Sequence, residues 1–226
     1  MKHAFTLAEV LITLGIIGVV AAMTLPTVIT NTRNKEFETG LKKGYTVLQQ
    51  ALDMYQADNG ERLKAHDNIG NDKLKDAIKP YLSILKDCGY GLEPSACVQS
   101  DQSGVTVHPN PYMNYSNSRM ADNSKFDDGQ LILTDGSMLF FENVGADLLL
   151  IHVDVNGYRK NPNRWGFDLF TFQIMDDGKL LPGGANGTKF YDQPKYCDPK
   201  GTEGNNGIIC TYKALTDKDY FKNLPK

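Results

Sequence analysis

An apolar run dominates the beginning of this chain. From Val10 to Thr32 there are 23 consecutive residues without a charge, and Arg33 is the next charged residue. A run of about 20 mostly apolar residues is long enough to cross a bilayer as an α-helix. The run therefore predicts a signal peptide, a membrane anchor, or an apolar helix that has a further use.

Neither of the two simple interpretations explains the whole segment. A signal peptide has a basic start, an apolar core of about 7–15 residues and a small-residue cleavage site. Here only Met1-Lys2-His3-Ala4 comes before a much longer run, although Ala21-Ala22-Met23 is similar to a weak cleavage site. A plain anchor has no need for Glu9, because a carboxylate inside an apolar helix costs about 2.5 kcal/mol or more.

The residues around Glu9 follow a pattern of their own. The stretch Ala4-Phe5-Thr6-Leu7-Ala8-Glu9-Val10-Leu11-Ile12 resembles the processing and methylation signature of type IV prepilins and type II secretion pseudopilins. The resemblance implies that a prepilin peptidase cuts between Ala4 and Phe5 and that the new amine of Phe5 is methylated. The chain departs from the family at Ala4, where most members have Gly.

The same resemblance implies an assembly role for Glu9, Gly18 and Pro26, with Gly18 and Pro26 at the positions where the family's N-terminal helix loosens in a filament. It divides the chain into a leader at 1–4, a transmembrane and filament-core helix at 5–30, and a periplasmic globular domain at 31–226. The implied location is the bacterial inner membrane, crossed once. The implied partners are the membrane, other filament subunits of the same or different kinds, prepilin peptidase and an inner-membrane assembly platform.

Electrostatics supplies an independent reason for Glu9. Cleavage before Phe5 creates an ammonium about one helical turn from the Glu9 carboxylate. In a stack of parallel helices, the ammonium of one subunit can neutralise the carboxylate of its neighbour, whereas either charge buried alone is strongly destabilising. We therefore expect Glu9 to set the register of assembly.

Composition and cysteine spacing describe the rest of the chain. A net charge of −3 and a pI of about 5.8 argue against nucleic-acid binding. Four cysteines allow three disulfide connectivities. Local pairing, Cys88 with Cys97 and Cys197 with Cys210, closes two loops poor in apolar residues and fits an exported domain. Neither pair has the spacing of a metal site, so no metal or cofactor is expected.

The pattern after Pro26 predicts an α+β fold. An apolar stripe continues the N-terminal helix to Asn59-Gly60, and its members are Phe37, Leu41, Leu48, Ala51, Leu52 and Tyr55. A second helical stretch, divided by Pro80, is expected from Asp72 to Leu85. Residues 89–128 read as a long surface loop with a short extended piece at 105–107. Whether this loop binds a partner or is a tolerated insertion stays open.

Consecutive strands are predicted in the second half. Asp135-Gly136 between two apolar runs is a hairpin signal, with strands at 130–134 and 137–141. Further strands are expected at 147–155, 167–175 and 179–181. The resulting architecture is a long N-terminal helix, membrane-spanning in its first half, packed on an antiparallel sheet with long loops. This order of elements also resembles the pilin fold.

Chemistry in the globular domain has one candidate. Asp154, Asn156 and Asp168 can offer oxygens to Ca²⁺, but Trp165 occupies the position of the bidentate Glu of an EF-hand. The alternative is that these side chains cap turns. The four histidines are scattered, and there is no serine-hydrolase, zinc-protease or phosphate-loop motif, so no enzyme is expected.

The leading hypothesis is a structural subunit of a type IV pilus or a type II secretion pseudopilus. A minor pilin that binds a ligand at a filament tip is one alternative. A single-pass anchored periplasmic domain that never assembles is the other. The hypothesis covers both filament systems and both major and minor subunits.

Overall fold

The structure of the protein, a computed structural model, describes residues 6–65, 73–91, 93–99, 111–144 and 148–225. The chain divides into two units, Met1–Glu36 and Phe37–Lys226. Helix α1, Leu7–Asn59, contains the described residues of the first unit after Thr6 and continues into the second unit. It ends where the sequence predicts, and Gly60 follows with a φ of 80°, a left-handed conformation that glycine adopts without strain.

Within the second unit, the described residues form a six-stranded antiparallel sheet in which every strand pairs with its neighbour in sequence. The predicted Asp135-Gly136 turn joins the second and third strands, and Gly136 has a φ of 88°. The strands are β1 Ile84–Asp87, β2 Gln130–Leu133, β3 Met138–Val144, β4 Leu148–Asp154, β5 Leu169–Ile174 and β6 Leu180–Pro182. The long helix and antiparallel sheet confirm the predicted α+β, pilin-like architecture.

One face of the sheet packs against the part of α1 in the second unit. Alternate residues of a strand point to the same face, so β3, β4 and β5 each present an apolar row to the helix. Tyr45 of α1 stacks on Phe172 of β5, with ring centroids 5.3 Å apart. The helix contributes Phe37, Leu41, Leu48, Ala51 and Leu52, and the central strands contribute Leu139, Phe141, Leu149, Ile151, Val153, Phe170, Phe172 and Ile174.

The opposite face is covered by loops rather than by solvent. Trp165 and Phe126 lie over it, and the Phe126 ring is 4.8 Å from that of Phe140 on β3. The amide of Gln130 joins this cover to β2: its Nε2 donates to Val98 O at 2.7 Å and to Phe126 O at 3.1 Å, and its Oε1 accepts from Val98 N. A buried amide with all these partners fixes the loops at little cost.

Two elements differ from the predictions. The helix expected to reach Leu85 stops earlier: α2 is Lys73–Ile78, a 3₁₀ turn at Lys79–Tyr81 holds Pro80, and Ile84–Asp87 is strand β1. The helix ends before Pro80, because proline lacks the backbone N–H that a helix needs. The residues of β1 are extended because they pair with β2. A short helix α3, Cys210–Thr216, was also missed. The extended piece expected at 105–107 lies outside the described residues.

Close approach between α1 and the sheet depends on two glycines. A Cβ added at Gly40 would lie 2.7 Å from Val155 Cβ, and one at Gly44 would lie 2.9 Å from Val153 Cγ1. Contacts this short force the backbone or the valine to move. Gly40 and Gly44 therefore set the distance between helix and sheet.

We predict that Gly40→Ala lowers the free energy of unfolding of the globular domain. Overpacking costs about 1–3 kcal/mol, which exceeds the gain of at most about 1 kcal/mol from the higher helix propensity of alanine. Thermal unfolding followed by near-UV circular dichroism measures the change. Gly15→Ala, where an added Cβ meets no atom within 4 Å, is the matched control and should leave the transition unchanged.

The pairing with Val155 can be tested in the same assay. If the glycine is needed because of that contact, Gly40→Ala and Val155→Ala together should cost less than the sum of the two single changes. Strictly additive losses would show that Gly40 is not a packing requirement.

Candidate functional site

The beginning of α1 holds the Glu9 carboxylate in a defined geometry. Glu9 Oε2 accepts hydrogen bonds from the backbone N–H and the hydroxyl of Thr6, both at 2.8 Å. In return the Glu9 N–H donates to Thr6 Oγ1 at 3.3 Å. This reciprocal arrangement, three residues apart at the start of a helix, is a capping box. It also places a negative charge where the helix dipole favours it.

Sequence reasoning missed Thr6, although the signal was present. The Thr-x-x-Glu spacing that marks a capping box is legible in Thr6-Leu7-Ala8-Glu9. Thr6 gives Glu9 hydrogen-bond donors from its own chain. None of these three bonds uses Oε1.

The apolar run that follows is exposed along its length. Among the described residues, α1 is the one helix long and apolar enough to cross a membrane, a property shared with signal sequences near a chain start. An added Cβ at Gly18 would meet no atom within 4 Å. The exposed large side chains of this run are Val10, Leu11, Ile12, Leu14, Ile16, Ile17, Val19, Val20, Met23, Leu25, Val28 and Ile29.

Two threonine hydroxyls within this run form hydrogen bonds inside the helix. The hydroxyl of Thr13 donates to Glu9 O, and that of Thr24 donates to Val20 O at 2.9 Å. Hydrogen bonds of this kind suit a helix surrounded by hydrocarbon, where an unpaired donor is costly. Pro26 lies inside α1, and the chain is helical on both sides of this residue.

The predicted site residues of this segment do not converge on a pocket. Glu9, Gly18 and Pro26 lie at separate positions along the same helix, α1. Ala4 and Phe5, the expected cleavage and methylation positions, lie outside the described residues. The chemistry available to the described segment is therefore that of a surface: one carboxylate at the start of a long apolar face.

All four cysteines are paired as the local pattern favours. Cys88 joins Cys97, with Cα atoms 5.3 Å apart, and Cys197 joins Cys210, at 5.1 Å. The second bridge ties the 3₁₀ turn Pro194–Cys197 to the start of α3. Both bridges therefore hold loops next to regular elements.

Asp154 and Asp168 cap turns through hydrogen bonds from backbone N–H groups. Asp154 Oδ1 accepts from the N–H groups of Asn156 and Gly157 at 3.1 and 2.8 Å, and its Oδ2 accepts from the Tyr112 hydroxyl at 2.6 Å. Asp168 accepts from two further backbone N–H groups, at 2.7 and 2.9 Å. Burial raises the pKa of both carboxyls, and the charge of Asp154 adds to the effect on Asp168. These contacts favour the turn-capping alternative over calcium.

His152 is a buried structural residue. Its Nδ1 lies 3.0 Å from Thr171 Oγ1, and its ring meets that of Trp165 edge to face at 5.0 Å. Burial, helped by the charge of Lys125, lowers the pKa of His152 to about 3. An imidazole that stays neutral across the physiological range is poorly suited to act as a proton shuttle.

We predict that His152 makes the protein less stable in acid. The unfolded imidazole binds a proton below about pH 6.5, whereas the folded one does so only near pH 3. The stabilisation is complete above pH 6.5 and is lost as the pH falls toward 3. Between pH 6.5 and 5, wild type should lose about 2 kcal/mol more unfolding free energy than His152→Gln, as measured by urea denaturation.

The comparison between the two proteins isolates the histidine. The raised pKa values of Asp154 and Asp168 give the opposite pH dependence, and they contribute to both proteins. Parallel stability profiles for wild type and His152→Gln would contradict the assignment of a neutral, buried imidazole.

Comparison with known proteins bears on the N-terminal segment. Residues 1–25 match a family model described as the prokaryotic N-terminal methylation motif. A search of curated proteins and a search of solved structures each give no significant match. The motif and the long apolar helix fit a membrane-anchored, single-pass protein, and the motif belongs to structural pilins rather than enzymes. Residues 1–25 of this chain therefore carry the prokaryotic N-terminal methylation motif, which is characteristic of type IV pilins and pseudopilins.

Proposed function

We propose that this chain is a structural subunit of a filament of the type IV pilus or type II secretion pseudopilus class. In this proposal, prepilin peptidase removes residues 1–4, the new amine on Phe5 is methylated, and the helix at 5–30 holds the subunit in the bacterial inner membrane. The domain at 31–226 lies in the periplasm. An inner-membrane assembly platform then transfers the subunit into the filament.

The observation that carries the proposal is the Glu9 carboxylate at the start of an exposed apolar helix. Thr6 donates two hydrogen bonds to one oxygen of Glu9. A subunit held in the membrane before assembly therefore already stabilises part of the carboxylate charge. A neighbouring subunit that offers an ammonium to the other oxygen would complete the pairing. An anchor that never assembles explains the apolar run but gives Glu9 no such partner.

The exposed apolar face supports the same conclusion. A soluble protein rarely leaves a contiguous apolar patch this large in water. Lipid covers such a face in the membrane, and parallel copies of the same helix cover it in a filament. Both environments require an apolar surface on the residues from Val10 to Thr32. The same segment can therefore hold the subunit in the membrane before assembly and pack against other subunits in the filament.

Replacement of Glu9 separates charge pairing from helix capping. Glu9→Gln keeps a side chain that can complete a capping box but removes the charge. Glu9→Ala removes both. If the charge is required, both variants should insert into the membrane normally and both should fail to enter filaments. The ammonium left unpaired costs about 3–5 kcal/mol, so incorporation should fall by a factor of 100 or more, as measured by shearing and immunoblotting.

A matched control lies in the same apolar run. Thr24→Ala changes one polar side chain, whose hydroxyl bonds only within the helix, and should assemble like wild type. Normal incorporation of Glu9→Gln would contradict the charge-pairing role. Normal incorporation of Glu9→Ala as well would contradict any role of Glu9 in assembly, whereas absence of the wild-type chain from sheared filaments would contradict the filament proposal.

A further inference from the structure

Asparagine followed by glycine occurs four times in the sequence, at residues 59–60, 156–157, 186–187 and 206–207. Each pair is a potential site of chemical change, because the glycine nitrogen can attack the side-chain amide of the asparagine before it. Glycine has no Cβ to hinder that approach. The attack also requires that the folded chain leaves the nitrogen and the amide free to meet, and the four pairs differ in this respect.

In three of the pairs, hydrogen bonds hold both reacting groups. The glycine N–H groups donate from Gly60 to Gln56 O at 2.8 Å, from Gly157 to Asp154 Oδ1 at 2.8 Å and from Gly207 to Tyr196 O at 2.7 Å. The asparagine Nδ2 atoms donate from Asn59 to Tyr55 O at 2.9 Å, from Asn156 to Asn161 O at 3.3 Å and from Asn206 to Asp198 O at 2.8 Å. At these pairs the nitrogen cannot turn toward the side chain unless such bonds break.

The pair Asn186-Gly187 is exposed and lacks this protection. Both residues lie in the turn that follows β6. Among the described residues, none accepts a hydrogen bond from the Gly187 N–H or from the Asn186 side-chain amide. Gly187 has a φ of 91°, and an added Cβ at this position would come no closer than 3.7 Å, to Met175 Cε. The nitrogen and the amide are therefore open to solvent and free to approach each other.

The residues on either side of the pair keep the turn in place. Thr188 is only 3% exposed, and its N–H and hydroxyl both donate to Ala185 O, at 3.0 and 2.7 Å. Thr188 Oγ1 also accepts from the Gly184 N–H at 3.1 Å, and the Lys189 N–H donates to Gln173 Oε1 at 2.8 Å. A change at the tip of this turn should therefore leave the anchored residues beside it in position.

We propose that Asn186 is a site of spontaneous deamidation. The Gly187 nitrogen, after losing its proton, forms a bond to Asn186 Cγ. The Cγ–Nδ2 bond then breaks, and ammonia leaves with that proton, so that a five-membered cyclic imide remains. Water opens the imide at Cγ to give aspartate, or at the backbone carbonyl carbon to give isoaspartate. The net reaction consumes one water and releases one ammonia, and it needs no other reagent.

The reaction changes both the charge and the backbone of the turn. Each event places a new negative charge on the surface, because the carboxyl of aspartate has a pKa of about 3.9. Isoaspartate also lengthens the backbone by one carbon between Ala185 and Thr188, the residues whose hydrogen bonds close the turn. The domain should stay folded, because loop tips tolerate such changes. This inference does not depend on the filament proposal.

Peptide mapping of the full-length protein tests the site. The four pairs fall in different tryptic peptides, and Asn186 lies in the peptide 180–189. Protein in detergent is incubated at neutral and at mildly alkaline pH, digested with trypsin and analysed by mass spectrometry. The peptide 180–189 should acquire the mass of a carboxyl in place of an amide at least about tenfold faster than the other three peptides, because two hydrogen bonds of ordinary strength protect each of those pairs.

Two further observations identify the reaction. Alkaline pH should accelerate it, because the nitrogen attacks after losing its proton, and fragmentation should find both aspartate and isoaspartate at position 186. Direct hydrolysis of the amide gives aspartate alone. In urea the four peptides should react at similar rates, since unfolding removes the hydrogen bonds that distinguish the pairs.

One variant and one matched control locate the change. Asn186→Gln should abolish the mass gain in the peptide 180–189, because the longer side chain must close a larger and less favourable ring. Asn59→Gln, which alters an exposed pair held by hydrogen bonds, should leave the rate at Asn186 as in wild type. Near-UV circular dichroism checks that both variants fold.

Three outcomes would overturn the proposal. The first is a peptide 180–189 that keeps its mass in the folded protein while the same peptide reacts in urea. The second is a rate at Asn186 no higher than at the three held pairs. The third is aspartate without isoaspartate at position 186, which would exclude the cyclic imide.

Discussion

A carboxylate at the start of an uncharged helix needs a partner wherever that helix resides. In the subunit itself, Thr6 provides two donors to one oxygen of Glu9. The other oxygen makes none of the capping-box bonds, and the residues from Val10 to Thr32 offer no charge to meet it. This asymmetry suits an element that is stored in one environment and used in another, because the intrachain bonds need not break when a second partner arrives.

The globular part follows a different constraint, since both faces of its sheet are buried. The helix covers one face with apolar side chains, whereas irregular loops cover the other. Loops carry many polar backbone groups that must be paired when buried. Gln130, Asp154 and Asp168 meet this need, and two disulfides hold the adjoining segments. These polar side chains therefore stabilise the loops that cover the sheet.

The sequence predicted those features that local chemistry decides. The end of α1 at Asn59, the Asp135-Gly136 hairpin and the local cysteine pairing each depend on neighbouring residues. Strand β1 was missed because a short apolar run fits helix or strand equally well, and pairing with β2 made the choice. The difference between Asn186-Gly187 and the other three Asn-Gly pairs could not be predicted, because hydrogen bonds of the folded chain hold the glycines of those three. The contact between Thr6 and Glu9 was predictable, because the Thr-x-x-Glu spacing of a capping box is present in the sequence.

The central claim is that the apolar segment is a processed assembly element and not a permanent anchor. Mass spectrometry of the N-terminus of the protein purified from its native membrane and from sheared surface material tests this most directly. The account predicts a chain that begins at Phe5, carries one methyl group on its amine, and is found in both fractions. A chain that keeps Met1 to Ala4 in every fraction would contradict the account and leave a membrane anchor in its place.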